Sequence, residues 1–322
     1  MAAAPPLGAF VNARIALLWA VLSAAAVAPA NAATYMLVIS GLGGEEAYEE
    51  RFTAWADTVA KAGTVLAGDP AHVQLLKAKA ATAAAIEQAL GQLATRLHAD
   101  DQLFIVLIGH GSYDGSEYRM NLPGPDITGS TFAAWLDKLP STTPVLVVNA
   151  TSASGAVAER WLKPNRVVIT ATRTAGERNA TRFAGFWAEA LTSSEADRNK
   201  DETITAAEAF DYASRKVTDA FKADASIATE HPRIGGVEPG RFIVARLGKA
   251  ARFANDAQLL AMRDQQTGIE RELAEVKARK PALPEDSYYQ QLEPVLLRLA
   301  RLGSQIDARE AQLDGAAAVK KP

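Results

Sequence analysis

The chain has 322 residues, 48% of them hydrophobic, enough to bury one large domain and an appendage rather than remain disordered. Its formal net charge of -3 is mixed along the chain, so no basic face exists to neutralise phosphates, and nucleic acid is not expected as a partner. There is no cysteine, which excludes disulfides, thiolate metal sites and thiol chemistry.

In residues 1–32, Arg14 is the only charged side chain, and it precedes the apolar run Ile15 to Leu22 and a tail ending Ala30-Asn31-Ala32. A basic residue, a short apolar core and a small-x-small terminus predict a signal peptide cleaved after Ala32, hence an exported protein, periplasmic or extracellular. The apolar run is short for a membrane span of about 20 residues.

From Thr34 onward, β-branched runs alternate with alanine-rich amphipathic stretches. That alternation predicts an α/β fold, a mostly parallel sheet with helices on both faces, over residues 33–250. The expected strands are Tyr35 to Ser40, Val73 to Leu76, Leu103 to Ile108, Val145 to Asn149, Val167 to Thr172 and Phe242 to Leu247. Expected helices lie near Glu46 to Lys61, Ala83 to Leu97, Ser130 to Leu139, Ala156 to Leu162, Arg182 to Thr192 and Ala206 to Ala223.

The third and fourth of those strands break into Gly109-His110-Gly111-Ser112 and Thr151-Ser152-Ala153-Ser154-Gly155. Sites in such sheets form at the carboxyl ends of strands, which places His110 and Ser152 at one edge. The flanking glycines let the backbone turn sharply around His110. Asp114 and Glu117 are near enough in sequence to orient its ring, and Thr151 is the competing hydroxyl. Of the other histidines, His72 and His98 read as solvated, and His231 has no identifiable partner.

Residues Asp197 to Glu208 fit a twelve-residue EF-hand loop. Asp197, Asn199 and Asp201 would offer side-chain oxygens, Thr203 its carbonyl, Thr205 a water-mediated contact and Glu208 a bidentate carboxylate, so calcium is the expected cofactor, in a structural role. The sixth position, normally glycine, is Glu202, at a cost of about 1 kcal/mol. The competing reading is a plain helix start, with Thr205 and Glu208 forming a capping box.

Beyond Leu247 the strand signals stop. Leu259, Met262, Gln266, Ile269, Leu273 and Val276, then Tyr288, Leu292, Val295, Leu299, Leu302 and Ile306, step by three and four around a break at Lys280 to Pro284. This predicts a C-terminal α-helical hairpin over 251–315 with coiled-coil-like seams, serving as a packing appendage, a docking arm or a self-association seam, and a frayed tail over 316–322.

The order strand, Gly-His-Gly, helix, strand, small-x-x-Ser-Gly resembles the caspase-like and legumain-like peptidases over about Thr34 to Leu247. The resemblance implies a caspase-like fold, with Ser152 at the position of the family's cysteine nucleophile and His110 at its histidine. It implies an oxyanion hole from the backbone N–H groups of Gly111 and Ser152, with a peptide or protein as substrate or ligand. Serine in place of cysteine departs from the pattern, because a hydroxyl needs a base to remove its proton where a thiol is already partly ionised. Tyr48 is followed by Glu49-Glu50, not by basic residues, so asparagine or aspartate specificity does not carry over. Arg173 and Arg178 are the exposed candidates for contacting an acidic group. Three functions stand: a hydrolase using Ser152 and His110, an inactive peptidase-fold scaffold or peptide-binding protein in a cell-envelope complex, and an amidase or esterase.

Overall fold

The computed structural model describes residues 32–319; the expected signal peptide, apart from Ala32, lies outside them, as does the end of the expected tail. Five parallel strands form the centre: β1 (Thr34–Ser40), β2 (Val73–Leu76), β3 (Gln102–Ile108), β7 (Val145–Asn149) and β8 (Arg166–Thr170). A sixth, β10 (Arg233–Gly235), is antiparallel on the β8 edge, giving the order β10-β8-β7-β3-β1-β2.

Alternation sorts each strand between two cores. Met36, Val38, Phe104, Val106, Leu146 and Val148 face α1 (Glu46–Ala67), α5 (Phe183–Ala190) and α6 (Ala206–Ala223). Leu37, Ile39, Ile105, Leu107, Val145 and Val147 face α2 (Ala83–Arg96), α3 (Gly129–Leu136) and α4 (Ala158–Trp161). Burial on both faces is why β1, β3 and β7 read as continuous apolar runs. The fold is thus mixed α/β with a mostly parallel sheet and helices on both faces.

Local chemistry sets the helix ends. Thr82 caps α2 through the Ala85 N–H, and Gly68 ends α1 at φ 70 with its N–H on the Thr64 carbonyl, a left-handed cap that glycine adopts without strain. Two departures from expectation matter. The run Phe242 to Leu247 does not join the main sheet: β11 (Ile243–Arg246) pairs antiparallel with β9 (Thr203–Thr205), placing Val244 and Ala245 in the α1/α6 core. The stretch after His110 folds into a small antiparallel sheet of β4 (Gly111–Tyr113), β5 (Tyr118–Met120) and β6 (Ile127–Thr128).

The C-terminal helices α8 (Ala257–Ala278) and α9 (Glu285–Val319) follow a short α7 (Gly248–Arg252). Leu259, Ile269, Val276, Tyr288, Val295, Leu302 and Ile306 are buried between α8 and α9 in a separate core, the positions that the three-and-four spacing selects. Helix α9 continues to Val319, into the segment expected to fray.

One buried arginine ties this hairpin to the α/β body. Arg263 on α8, 5% exposed, donates to the Asp201 carbonyl, to Glu202 at 3.4 Å and to Glu310 of α9 at 2.5 Å; Glu310 is itself 4% exposed. Breaking such a pair strands the surviving charge. Arg263→Ala is expected to lower stability by about 3 kcal/mol and to expose the α8–α9 hairpin to limited proteolysis. The pair Arg263→Met/Glu310→Leu should recover most of the loss. Urea unfolding and cleavage rates of the three chains check this.

Candidate functional site

Strand register brings the site together. Ser40 lies opposite Ile108, Leu107 opposite Asn149, and Asn149 opposite Thr170, so the strands end level and their following loops meet. Gly109 has φ 147, and a side chain there would stand 3.3 Å from the Gly41 backbone. The backbone angle calls for glycine, and the contact would be tight for any side chain.

His110 is half-buried at the end of β3, with Tyr48 and Phe52 edge-on to its ring at 4.7 and 5.0 Å between centroids. Its Nε2 lies 3.1 Å from the Gly43 carbonyl. A carbonyl can only accept, so Nε2 carries a proton in this contact. Gly43 is fixed in turn: its N–H donates to Glu49 Oε2 at 2.8 Å, and any side chain on it would meet the Glu49 backbone at 2.3 Å. Glu49 thus positions the group that orients His110. Asp114 and Glu117, expected to do so, are used elsewhere. Asp114 accepts from the Glu117 and Ser116 N–H groups and from Arg119, and these bonds, that of Glu117 first, hold its carboxyl below the usual range. Glu117 accepts from Ser130 and pairs with Arg160.

Ser152 is 1% exposed, and its Oγ is buried with no hydrogen-bond partner among the described residues. A thiol tolerates such surroundings, whereas an unsatisfied hydroxyl costs about 1–3 kcal/mol. No acceptor among the described residues takes the Ser152 N–H. Gly111 is pressed against this loop, since a side chain there would lie 2.4 Å from the Ser152 carbonyl and 2.8 Å from Thr151 Oγ1. Thr151, the competing hydroxyl, is committed beneath the site: its Oγ1 bonds Tyr118 Oη at 2.6 Å and Asn149 Oδ1 at 2.8 Å. Burial pushes the Tyr118 hydroxyl up to about 12, so it stays neutral.

The loop after β8 crosses the Ser152 turn. Ala153, at φ 54, donates its N–H to the Glu177 carbonyl at 2.8 Å, and Thr181 Oγ1 donates to the Ala150 carbonyl at 2.6 Å. His231, which has no visible partner in sequence, is held by Glu177, whose Oε1 lies 2.8 Å from His231 Nδ1. Arg173 and Arg178 are exposed on this loop. His98 is exposed, but His72 is half-buried against Tyr35 at 4.3 Å.

The loop Asp197 to Glu208 has the backbone its sequence calls for. Lys200 and Glu202, the fourth and sixth positions, adopt φ 64 and 62, left-handed as the tight turn requires. Asp197, 4% exposed, accepts from the Lys200, Asp201 and Glu202 N–H groups. Asp201 accepts from Thr203, and Glu208 completes the capping box with Thr205. The helix-start reading therefore holds as local geometry. The oxygen donors suit a hard cation in kind and spacing, but among the described residues no three carboxylate or imidazole groups converge on one point. Glu202 departs from glycine to a purpose: its Oε2 accepts the Lys249 and Ala250 N–H groups at the start of α7. Glu270 of α8 reaches Asn199 at 2.5 Å, and burial, then Asp201, pushes its carboxyl up to about 7.

This is a mixed α/β protein whose glycine-lined turns meet at the carboxyl edge of a mostly parallel sheet. No protein-family model and no curated protein matches the chain. Among solved structures it is similar to caspase-1 from Spodoptera frugiperda, with 14% identity and a TM-score of 0.45 over 64% of this chain and 86% of that one. It is also similar to a protein of Geobacter sulfurreducens, with 14% identity and a TM-score of 0.43 over 67% of this chain and all of the other. Likenesses of this size say nothing about activity.

Replacing Ser152 tests the unsatisfied hydroxyl directly. Ser152→Ala should leave stability unchanged or raise it by about 1 kcal/mol, against the usual loss for a buried substitution. Urea unfolding of the two chains checks this.

Proposed function

We propose that this chain is an exported, caspase-like or legumain-like protein that binds a peptide or protein at the carboxyl edge of its sheet without cutting it. The observation that carries this reading is the Ser152 hydroxyl, which is buried and has no bond to His110. A serine nucleophile works by handing its proton to a base within hydrogen-bond reach, about 2.6–3.2 Å. What orients His110 is a neutral carbonyl, a weaker partner for a developing imidazolium than a carboxylate. On this reading Arg173 and Arg178 supply the contact to an acidic group of the ligand, and the hairpin serves as the dock for an envelope partner or a second copy.

Hydrolysis by Ser152 and His110 is the second reading, favoured by two features. The Ser152 N–H has no acceptor among the described residues and Gly111 lies against the Ser152 turn, an arrangement that would leave these N–H groups for an oxyanion. A mixed peptide library, offered to the processed protein with calcium present, separates the readings. Peptides rich in Asp and Glu should be retained but not cut, with retention lost in Arg173→Ala/Arg178→Ala. Cleavage that disappears in both Ser152→Ala and His110→Ala would instead establish a serine-using peptidase.

Calcium enters as a structural ion held by Asp197, Asn199, Asp201, the Thr203 carbonyl, Thr205 through water, and Glu208; bound there it would neutralise the loop carboxylates and add nothing to bond cleavage. A site of this kind in an extracellular module binds with a Kd of about 10⁻⁴–10⁻³ M. Calcium at a hundredfold excess over Kd should raise unfolding stability by about 3 kcal/mol. Magnesium should do far less, and Asp197→Asn/Glu208→Gln should abolish the response; calorimetric titration and thermal melts check this. An unchanged melting temperature with calcium would leave Thr205 and Glu208 as a helix cap alone.

A further inference from the structure

Ser152 is enclosed on two sides. On one lies Gly111; on the other lies the segment 173–181, which leaves β8 and runs back across the turn that carries Ser152. Its contacts with that turn span residues 150–155. Thr181 Oγ1 holds the Ala150 carbonyl at 2.6 Å, and the Glu177 carbonyl takes the Ala153 N–H at 2.8 Å. A side chain on Gly155 would stand 2.4 Å from the Arg173 and Thr174 backbone. The segment therefore lies against residues 150, 153 and 155, on either side of Ser152 in the chain.

Besides these contacts with the turn, one carboxylate ties its middle to the sheet edge. Glu177 Oε2 accepts the Arg173 N–H at 2.8 Å, which closes the segment into a compact turn, and the His231 N–H at 3.2 Å. Oε1 meets His231 Nδ1 at 2.8 Å. His231 belongs to another strand entry, two residues before β10, so these bonds join the segment to the edge of the sheet. The neighbouring Glu230 fixes the same region from below: it accepts the Arg182 and Phe183 N–H groups at the start of α5. The segment is thus pinned beyond its end by Glu230 and in its middle by the Glu177–His231 contact. Only the second of these lies at the surface, since the His231 side chain is 41% exposed while Glu230 is 3% exposed.

We infer that Glu177 and His231 form a latch that keeps segment 173–181 closed over Ser152, and that opening this latch is what admits any group to the Ser152 position. The inference concerns access, and it holds whether the site binds or hydrolyses. It also gives His231 a role distinct from that of His110, which sits across the turn against Gly43, Tyr48 and Phe52.

The absence of cysteine makes the test clean, because Ser152→Cys places a single thiol in the full chain, and its alkylation by iodoacetamide reports access directly. In the otherwise unchanged chain the thiol should label far more slowly than in the same chain unfolded in urea. Adding Glu177→Ala or His231→Gln should speed labelling by about tenfold or more, the factor expected from losing one charge-assisted hydrogen bond. Asp114→Asn, remote from the latch, should leave the rate unchanged. His231→Gln retains the Glu177 bonds to the Arg173 and His231 backbone, so it keeps the test decisive if Glu177→Ala unfolds; circular dichroism identifies that case. Labelling of the unlatched and latched chains at one rate, with the fold intact, would overturn the inference. So would rapid labelling before the latch is touched, since Ser152 would then not be covered.

Discussion

Everything at the carboxyl edge depends on strands that are apolar on both faces and end level. Because β1, β3 and β7 must bury alternate residues in two separate cores, a slip of one residue would exchange those cores, so the register is fixed. Fixed register places Ile39, Leu107, Asn149 and Thr170 at the same height. The loops that follow have no freedom to avoid one another. Glycine at 41, 43, 109 and 111 is what lets them approach without collision, and the close approach is what makes a crevice.

Within that crevice the two expected reactive groups receive different treatment. His110 is prepared: Glu49 holds Gly43, the Gly43 carbonyl holds Nε2, and two aromatic rings bracket the imidazole. Ser152 is buried without a bond of its own. A buried position with no hydrogen-bond partner suits a group that neither donates nor needs to accept better than it suits a hydroxyl.

The central strands and the hairpin were legible because burial on two faces gives continuous apolar runs, and burial on one helical stripe gives the three-and-four spacing. What escaped was whatever depends on partners distant in sequence. A run such as Phe242 to Leu247 announces a strand but not its neighbour, and its neighbour proved to be β9 rather than the main sheet. Strands of two or three residues after His110 carry too few residues for a period and exist only because they pair. Glu49 acts through a backbone amide, so no side-chain pattern marks it. The acid beside His231 lies 54 positions away, and proximity in sequence pointed instead to Asp114 and Glu117 for a different histidine.

The glutamate at the sixth position of the Asp197 to Glu208 loop sets two properties of the molecule against each other. Glycine there would relax the left-handed backbone and favour a tighter grip on a cation. The same change would delete the carboxylate that caps α7 and meets Arg263, loosening the helices beyond. Under the proposed calcium role, a stronger loop and attachment of the C-terminal arm could not both be gained by changing this residue. A chain without the arm would be free of that conflict, because the Glu202 carboxylate would then have no Arg263 to meet.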